Sequence, residues 1–296
     1  MSSVELRSKT ELTSITGTEN VYIQESGSPF TVKRVLLNTI KSWFMTAPSS
    51  TVLKTAAYDM LDNDGITRIE ADTTTGPVPI TLPLMANNRG RRVEIAFIKN
   101  DASADVVTVS PHATDTGKLS NDLLASMILA KVGDFIVVQE SVNSGCWEVV
   151  NERITNQLRL NTYAGYGNAS NNKIPYFTNV IEEYGNMFTK TSNDNVTGLV
   201  LTVNRSGRYG ISFYSRFDSA CYIGISLNSA QLTTAVGAIT TADRLGASLC
   251  GAAGDDDGVT VSLYFKKGDV IRPHTDGVAN SGGASRSFFS ISYLGQ

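Results

Sequence analysis

The chain has 296 residues and a net charge of −3, and 41% of its residues are hydrophobic while only 18% are charged. This length indicates two domains with a short extra module, and the apolar content is sufficient for a buried core. A weakly acidic chain without a basic patch argues against nucleic-acid binding. No apolar stretch approaches the roughly 18 residues of a membrane span, and the N-terminus lacks a signal-peptide pattern. We therefore expect no membrane insertion.

The first unit covers residues 1–48. Residues 21–24 and 30–32 flank a Ser-Gly-Ser-Pro turn and predict a short hairpin. Apolar residues then recur at spacings of three and four, which predicts an amphipathic helix ended by Pro48. The residues of this helical pattern are Val35, Leu36, Ile40, Trp43 and Phe44. A unit of this size buries little surface by itself, so it is expected to dock onto other chains.

Residues 12–44 resemble the N-terminal anchor of tailed-phage fibre and appendage proteins, where such a phrase precedes the fibre body. The resemblance implies that residues 1–48 bind other structural proteins of a virion. An ordinary small β-β-α cap is the alternative interpretation.

Residues 49–151 predict a small central β module. Residues 49–65 predict a linker, because residues 48–51 (PSST) are polar and residues 62–65 (DNDG) are a strong turn signal. Six β-rich segments follow between turns of Asn, Gly and Ser. The predicted strands are residues 66–71, 78–83, 93–98, 106–109, 135–138 and 147–150. Their order resembles a module of phage tail fibres, with Ile80-Thr81-Leu82-Pro83 early and Trp147 in the last strand. The resemblance implies a shaft or collar, in which Trp147 is a core anchor.

Residues 152–296 predict a C-terminal sandwich or jelly roll. Residues 152–160 serve as a connector, and Tyr209, Ile211 and Phe213 then alternate with polar residues, which places these three on one face of a strand. Eight to ten short strands with regularly spaced turns, drawn from ten candidate segments, are typical of such a fold. They are residues 158–162, 173–178, 187–190, 198–203, 207–217, 221–227, 247–250, 259–265, 270–274 and 287–294.

The landmarks of this last domain resemble the complement-type and tumour-necrosis-factor-like jelly rolls. The matching segments are residues 207–213 (GRYGISF), the Leu-Asn pair at 227–228, residues 264–271 (YFKKGDVI) and residues 287–293 (SFFSISY). The resemblance implies a homotrimer. The chain departs from the family pattern in lacking a collagen-like stalk, so trimerisation would have to be set by the β domains.

The sequence contains no pattern for catalysis. Its two histidines, His112 and His274, have no metal-binding partner at helical spacing, and we expect surface or turn positions for both. No nucleophile elbow and no phosphate-binding glycine loop occur. We therefore predict no enzyme activity, no catalytic residue, no cofactor and no metal site. A weak alternative, a glycosidase, would need paired carboxylates such as Glu182 and Glu183.

Three cysteines without a Cys-x-x-Cys spacing argue against a disulfide framework. We expect buried free thiols, with a bond between Cys221 and Cys250 as the alternative.

Recognition is expected in loops rich in Tyr, Ser, Gly, Asn and Asp, since loops on a rigid scaffold commonly carry contact residues. The predicted host-contact residues are Tyr163, Tyr166, Asp255, Asp256, Asp257, Asn280 and Arg286. Two alternatives remain open. The tyrosines could cover the trimer interface, and the three aspartates could form a solvated loop tip or bind a hard cation such as calcium.

The sequence therefore predicts an all-β homotrimer with an N-terminal hairpin and short helix, a central β module and a C-terminal jelly roll. Its predicted function is that of a phage virion protein, a tail fibre or short spike that attaches to a host surface glycan or protein. It would be assembled in the host cytoplasm and located in the virion. The alternatives are a capsid head fibre or decoration protein and, more remotely, a secreted lectin-like complement-type protein.

Overall fold

The computed structural model describes residues 20–24, 32–36, 50–62, 64–101, 104–141, 143–168, 173–277 and 287–296. These residues contain twenty-one β-strands, four short 3₁₀ helices and no α-helix. This confirms the all-β fold class. The chain divides into two compact units, Met1–Ser50 and Thr51–Gln296.

The described part of the first unit is an antiparallel hairpin of β1 (Asn20–Gln24) and β2 (Val32–Leu36). This confirms the predicted hairpin. The predicted helix is corrected at its start, because Val35 and Leu36 pair with β1, where the backbone hydrogen bonds of a ladder replace those of a helical turn. The rest of the predicted helix, residues 37–44, lies outside the described residues.

A central module of nine strands, β3 to β11, follows, and all of it except Ser50 belongs to the second unit. They are β3 (Ser50–Lys54), β4 (Tyr58–Asp59), β5 (Ile66–Asp72), β6 (Val78–Thr81), β7 (Arg92–Lys99), β8 (Val107–Ser110), β9 (Met127–Leu129), β10 (Phe135–Ser141) and β11 (Cys146–Arg153). Two 3₁₀ helices, Met85–Asn87 and Ala113–Asp115, lie between these strands.

Two sheets form this module. One has the order β11-β10-β7-β5-β3, and the other has the order β4-β6-β8-β9. Apolar residues at alternate positions of these strands face the core. Among them, Ile69, Val78, Val93 and Val109 are fully buried. Trp147 is also fully buried, which confirms its predicted place in the core.

The predicted linker at residues 49–65 is wrong. Strand β3 is the edge of the five-stranded sheet, and β4 pairs in parallel with β6. The turn after β4 is held by Asp64, whose carboxylate accepts a hydrogen bond from the backbone N–H of Ile66 at 2.9 Å and pairs with Arg91. Both strands also pack against the core, through Val52 in β3 and Tyr58 in β4.

The rest of the second unit contains ten strands, which we call the jelly roll. They are β12 (Gln157–Tyr166), β13 (Pro175–Tyr184), β14 (Phe188–Asp194), β15 (Gly198–Val203), β16 (Gly207–Arg216), β17 (Cys221–Leu227), β18 (Arg244–Cys250), β19 (Asp256–Phe265), β20 (Val270–Thr275) and β21 (Phe288–Gly295). Two 3₁₀ helices, Val236–Ala238 and Thr241–Asp243, precede β18.

The jelly roll packs two five-stranded sheets face to face. Their strand orders are β13-β12-β21-β16-β19 and β14-β15-β20-β17-β18, and every pairing given for them is antiparallel. Three pairs of consecutive strands, β12 with β13, β14 with β15 and β17 with β18, form hairpins within one sheet, and the other connections pass from one sheet to the other, as in a jelly roll. Tyr209, Ile211 and Phe213 of β16 are fully buried between the sheets, which confirms the predicted one-sided strand.

A buried ion pair joins the central module to the jelly roll. Glu152, in β11, pairs with Arg205, whose side chain is fully buried, and it accepts a hydrogen bond from the Tyr293 hydroxyl at 2.7 Å. The Arg205 guanidinium also lies 5.3 Å from the centroid of the Tyr293 ring. The predicted connector at residues 152–160 is therefore wrong, because β11 continues through Arg153 and β12 starts at Gln157.

A second group of contacts lies at the same junction. Both the backbone N–H and the hydroxyl of Ser206 donate to the Asp122 carboxylate at 2.7 Å. The Asn186 side chain donates to the Ser126 carbonyl at 3.0 Å and accepts from the Ile128 N–H at 3.3 Å. The proposed division of this unit at residue 151 falls inside β11, one residue before the glutamate of the ion pair, and it stays a prediction.

The three cysteines are free and buried. Cys221 and Cys250 lie directly opposite each other in the pairing of β17 with β18. Burial raises the pKa of Cys221 to about 12, with a smaller contribution from Cys250, so the thiol is protonated at neutral pH.

Candidate functional site

The two ends of the jelly roll have different surroundings. Strands β13 and β15 finish, and β14 and β16 start, at the end where Asn186, Arg205 and Ser206 contact the central module. We call this the proximal end. Because consecutive strands run in opposite directions, the connections that follow β12, β14, β16, β18 and β20 all lie at the other end, which we call the distal end.

The predicted contact residues Tyr163 and Tyr166 reach the distal end, but as part of β12 rather than of a loop. Tyr163 is only 8% exposed and packs edge-to-face against Tyr166 and Phe177, at centroid distances of 5.5 and 6.3 Å. Tyr166 accepts a hydrogen bond from the Thr275 hydroxyl at 3.0 Å, and burial raises its pKa to about 12. Tyr163 is therefore a core residue, which corrects its predicted role as a contact residue.

The three aspartates lie at the distal end, where β18 turns into β19. Asp255 and Asp256 are exposed, whereas Asp257 is half-buried and accepts from the Gly258 N–H at 2.7 Å. Asp256 and Asp257 are successive residues of β19, opposite Arg216 and Ser215, so their side chains point to opposite faces of the sheet. Within the described residues, no group of three or more His, Cys, Asp or Glu side chains is arranged to hold a metal ion.

Asn280 and Arg286 lie outside the described residues. Ser287, the first described residue after them, is buried and hydrogen-bonded to Ser215 at 2.7 Å between the hydroxyl oxygens.

A surface depression of about 500 Å³ lies near the distal end of the sheet that contains β12, β21, β16 and β19. It opens on the face of that sheet that points away from the second sheet, which we call the outer face. The lining residues are Arg159, Asn161, Ile181, Tyr214, Asp256, Ser287 and Phe288. Of the predicted contact residues, the structure places Asp256 in this depression.

Two stacked aromatic rings form one wall of the depression. Tyr214 and Phe288 are direct partners in the pairing of β16 with β21, and their rings are stacked at 15° with centroids 5.4 Å apart. The Tyr214 ring leans over Gly258, where a Cβ atom would come within 2.7 Å of its Cδ2. A glycine at this position therefore lets the two rings lie over the sheet.

Polar side chains surround the aromatic pair. Asn161 lies opposite Phe288 in the pairing of β12 with β21, and Arg159 lies opposite Ser290. Arg159 is exposed and makes no ion pair among the described residues. The arrangement combines an aromatic surface with a guanidinium, an amide and a carboxylate group. Such a set of groups can bind a small polar ligand, but it contains no nucleophile paired with a base.

Sequence analysis missed six of the seven lining residues: Arg159, Asn161, Ile181, Tyr214, Ser287 and Phe288. The alternation along β16 carries a signal for one of them, since the burial of Phe213 on one face places Tyr214 on the other. The remaining residues come from strands far apart in the chain, and only the strand order brings them together.

The two histidines have structural positions. His112 precedes the Ala113–Asp115 helix and accepts a hydrogen bond from the Thr114 N–H at 3.2 Å, which confirms a turn position. His274 lies in β20 and is fully buried, so its predicted surface or turn position is wrong. Its Nε2 donates to the Thr234 carbonyl at 2.7 Å, while its Nδ1 is buried without a hydrogen-bond partner.

We expect this histidine to make stability depend on pH. Burial lowers the pKa of His274, and Arg272 and Lys173 add to this effect, while the Thr234 carbonyl and Asp276 oppose it. Below a pH of about 6.5 the unfolded chain binds a proton that the folded state excludes, so the free energy of unfolding falls as the pH is lowered. Urea unfolding at pH 7.5, 6.5 and 5.5 measures this fall.

The matched variant for this prediction is His274→Gln, whose amide preserves a donor but does not titrate. Its stability should decline less between pH 7.5 and 5.5 than that of the wild-type chain. Equal declines in the two proteins would show that His274 is not the titrating group.

No protein-family model and no curated protein sequence matches the chain. Among the solved structures that match are three crystal structures of murine APRIL, determined at pH 8.0, 8.5 and 5.0. Each alignment covers 47% of this chain and 99% of the APRIL chain, with TM-scores of 0.35, 0.34 and 0.34 and identities of 12%, 13% and 10%. The jelly roll itself is defined by the strand order described above. No helix among the described residues is long and apolar enough to cross a membrane.

Proposed function

We propose that the protein is a structural component of a tailed-phage virion, a homotrimeric tail fibre or short spike that attaches to the host cell surface through its jelly roll. Residues 1–48 bind other virion proteins, and the central module forms a shaft or collar. The resemblances in residues 12–44 and in the central module support the phage assignment.

The observation that carries the attachment role is the difference between the two ends of the jelly roll. The proximal end is joined to the central module through Arg205 and Ser206. The distal end carries the exposed Asp255 and Asp256 and the aromatic depression. Binding residues commonly lie on loops at one end of a rigid scaffold. The distal end has this position in a protein that is anchored to the particle through its other parts.

The composition of the outer face supports a homotrimer. Its central rows carry short side chains, with Ser212 hydrogen-bonded to Thr260 at 2.9 Å and Gly210 beside Ser292. Small residues allow the backbone of a second chain to approach closely. Two large apolar residues flank these rows, since Tyr264 is 60% and Leu294 is 57% exposed.

Beside rows of small side chains, these two exposed apolar residues give a second copy of the chain a surface against which it can pack. A head-to-tail contact that closes after three copies gives a ring with threefold symmetry. Three weak sites held together by such a trimer bind a surface far more tightly than one site.

Deleting residues 1–48 tests the proposal. We expect the truncated chain to remain a soluble trimer, because trimerisation is assigned to the second unit, and to be lost from assembled particles. Light scattering measures the oligomeric state, and immunoblots of purified particles measure incorporation. Immunogold labelling of particles with the full chain distinguishes a tail position from a head position.

Two results would contradict this proposal. A monomer in light scattering of the full chain would exclude the trimeric architecture, and normal incorporation of the truncated chain would exclude an anchoring role for residues 1–48.

A further inference from the structure

We propose that Cys221 and Cys250 are an oxidisable pair, which a small-molecule disulfide such as oxidised glutathione converts into a cross-strand disulfide at the distal end of the jelly roll. Both cysteines are free thiols in the structure. The inference goes beyond the proposed function and does not depend on it, since it concerns a covalent bond within one chain.

The strand register places the two cysteines at the separation that a disulfide requires. Cys221 is the first residue of β17 and Cys250 is the last residue of β18, and they are direct partners in the antiparallel pairing of these strands. The Cα atoms of such partners are about 4.5 or about 5.5 Å apart, depending on their hydrogen bonding. Both distances lie within the range of roughly 4.4 to 6.8 Å that disulfides span. The bond therefore needs no change of strand pairing.

The two side chains lie on the same side of the sheet, because directly opposite residues of paired strands share a face. That face belongs to the core, where Cys221 is 2% and Cys250 is 1% exposed. The Cβ atoms of opposite residues are about 4.5–5.5 Å apart, and a disulfide draws them to about 3.8 Å. Strand β18 forms the edge of its sheet, so only one ladder of backbone hydrogen bonds resists this approach.

Burial explains why the pair stays reduced in a reducing compartment. It raises the pKa of Cys221 to about 12, and it also raises the pKa of Cys250, to which Asp255 and its two acidic neighbours contribute. The thiolate is the reactive form of cysteine, so both thiols react slowly at neutral pH. The Cys250 thiol contacts the Asp255 carbonyl at 3.4 Å, in the loop that follows β18.

The exchange starts at Cys250, because this residue ends an edge strand and residues 251–253 beside it are exposed. Its thiolate attacks one sulfur of oxidised glutathione, forms a mixed disulfide and releases one glutathione thiolate. The Cys221 thiolate then attacks the Cys250 sulfur, forms the protein disulfide and releases the second glutathione. Two protein thiols are oxidised, one glutathione disulfide is reduced to two thiols, and the two cysteine protons pass to the released glutathione.

The new bond closes a loop of residues 222–249 and fixes the end of β18, where the loop with the exposed Asp255 begins. A cross-link of this kind stabilises the fold, mainly because it restricts the unfolded chain. In the proposed virion setting, the chain is assembled with free thiols in a reducing cytoplasm. The bond then forms after release, since disulfides persist in oxidising surroundings.

Cys146 is an internal control for this chemistry. It is 1% exposed, and burial raises its pKa, as for the other two thiols. Its direct partner in the pairing of β10 with β11 is Ser141 rather than a cysteine. Cys146 is therefore expected to remain a free thiol under conditions that oxidise the pair.

The test incubates the reduced full chain with oxidised glutathione under native conditions. The remaining thiols are blocked with N-ethylmaleimide in denaturant, and the chain is digested with trypsin without reduction. Trypsin cleaves after Arg216, Arg244 and Lys266, so Cys221 and Cys250 fall into separate peptides, residues 217–244 and 245–266. We expect mass spectrometry to find these two peptides joined by a disulfide, and to find Cys146 blocked.

Thermal unfolding of the same protein, with and without a reductant, measures the effect of the bond on stability. The oxidised chain should unfold about 5–10 °C above the reduced chain. Cys146→Ser should preserve this difference between the oxidised and reduced forms, whereas Cys250→Ser should abolish it.

Four results would overturn the inference. Blocking of both Cys221 and Cys250 after oxidation, or a glutathione adduct that persists on either of them, would show that the two sulfurs do not meet in the folded chain. Disulfide-linked dimers on a non-reducing gel would assign the thiols to a contact between copies. Equal unfolding temperatures of the oxidised and reduced chains would exclude a stabilising bond.

Discussion

Replacement of Arg205 by alanine is expected to lower the free energy of unfolding of residues 51–296 by about 3–5 kcal/mol. The Arg205 side chain is fully buried, and that of its partner Glu152 is 11% exposed. The variant therefore leaves the Glu152 carboxylate without its cationic partner in a site from which water is nearly excluded. It also removes the cation that lies over the Tyr293 ring.

Urea unfolding monitored by circular dichroism measures this loss. The control is Lys190→Ala, which breaks the Lys190–Glu183 pair on the surface, where the side chains are 22% and 47% exposed. An exposed pair contributes at most about 1 kcal/mol. Equal effects of the two variants would show that burial does not set the strength of the Glu152–Arg205 pair.

Replacing both residues of the Glu152–Arg205 pair separates the effect of the buried charges on stability from the effect of side-chain packing. Arg205 has two nitrogens, Nε and Nη2, that are buried without a hydrogen-bond partner, so part of its desolvation is uncompensated. Replacing both members of the pair, as Arg205→Met with Glu152→Leu, removes both buried charges. We expect most of the lost stability to return, since well-packed apolar residues often replace a buried ion pair without loss.

Replacement of Phe213 by alanine should lower the free energy of unfolding by about 3–5 kcal/mol. Phe213 is fully buried, with its ring centroid 6.1 Å from that of Phe177 and 6.4 Å from that of Phe289. The substitution removes these aromatic contacts and leaves a cavity between two sheets that cannot close around it, since both sheets are held by their ladders.

The matched control for Phe213 is Phe288→Ala. Phe288 lies on the neighbouring strand β21 but on the opposite, outer face of the sheet, where its ring is half-exposed. We expect a loss of about 1 kcal/mol, because less apolar surface is buried there. Similar losses for the two phenylalanines would contradict the assignment of the inner and outer faces of this sheet.

The strands of the jelly roll could be predicted well because their signal is local. In residues 198–203 and 221–227 the predicted bounds coincide with β15 and β17. Apolar alternation bounded by glycine, serine or asparagine marks a strand whose one face is buried, wherever its partners lie in the chain. Strands β4 and β9 were not predicted, because they have only two and three residues, and β3 was missed because the polar and turn-forming residues around it indicate a linker.

The burial of Tyr163 could not be predicted from apolar alternation, because strand β12 is irregular at this position. Leu158 and Leu160 face the core, and strict alternation would place Thr162 beside them. Thr162 instead has a φ angle of 64°, and the register of β12 with β13 shifts at this end of the strand. The shift turns Tyr163 into the core. Nothing in a Gly-rich and Tyr-rich sequence distinguishes this bulge from a loop.

The sequence by itself determined the all-β class, the one-sided strands and the absence of recognisable catalytic patterns, since these follow from residue type and short spacing. Only the tertiary structure decided which residues form the candidate site. Arg159, Tyr214, Asp256 and Phe288 come from four strands that are distant in the chain and adjacent in one sheet. Strand order is set by the summed packing of the whole core, and no local spacing encodes it.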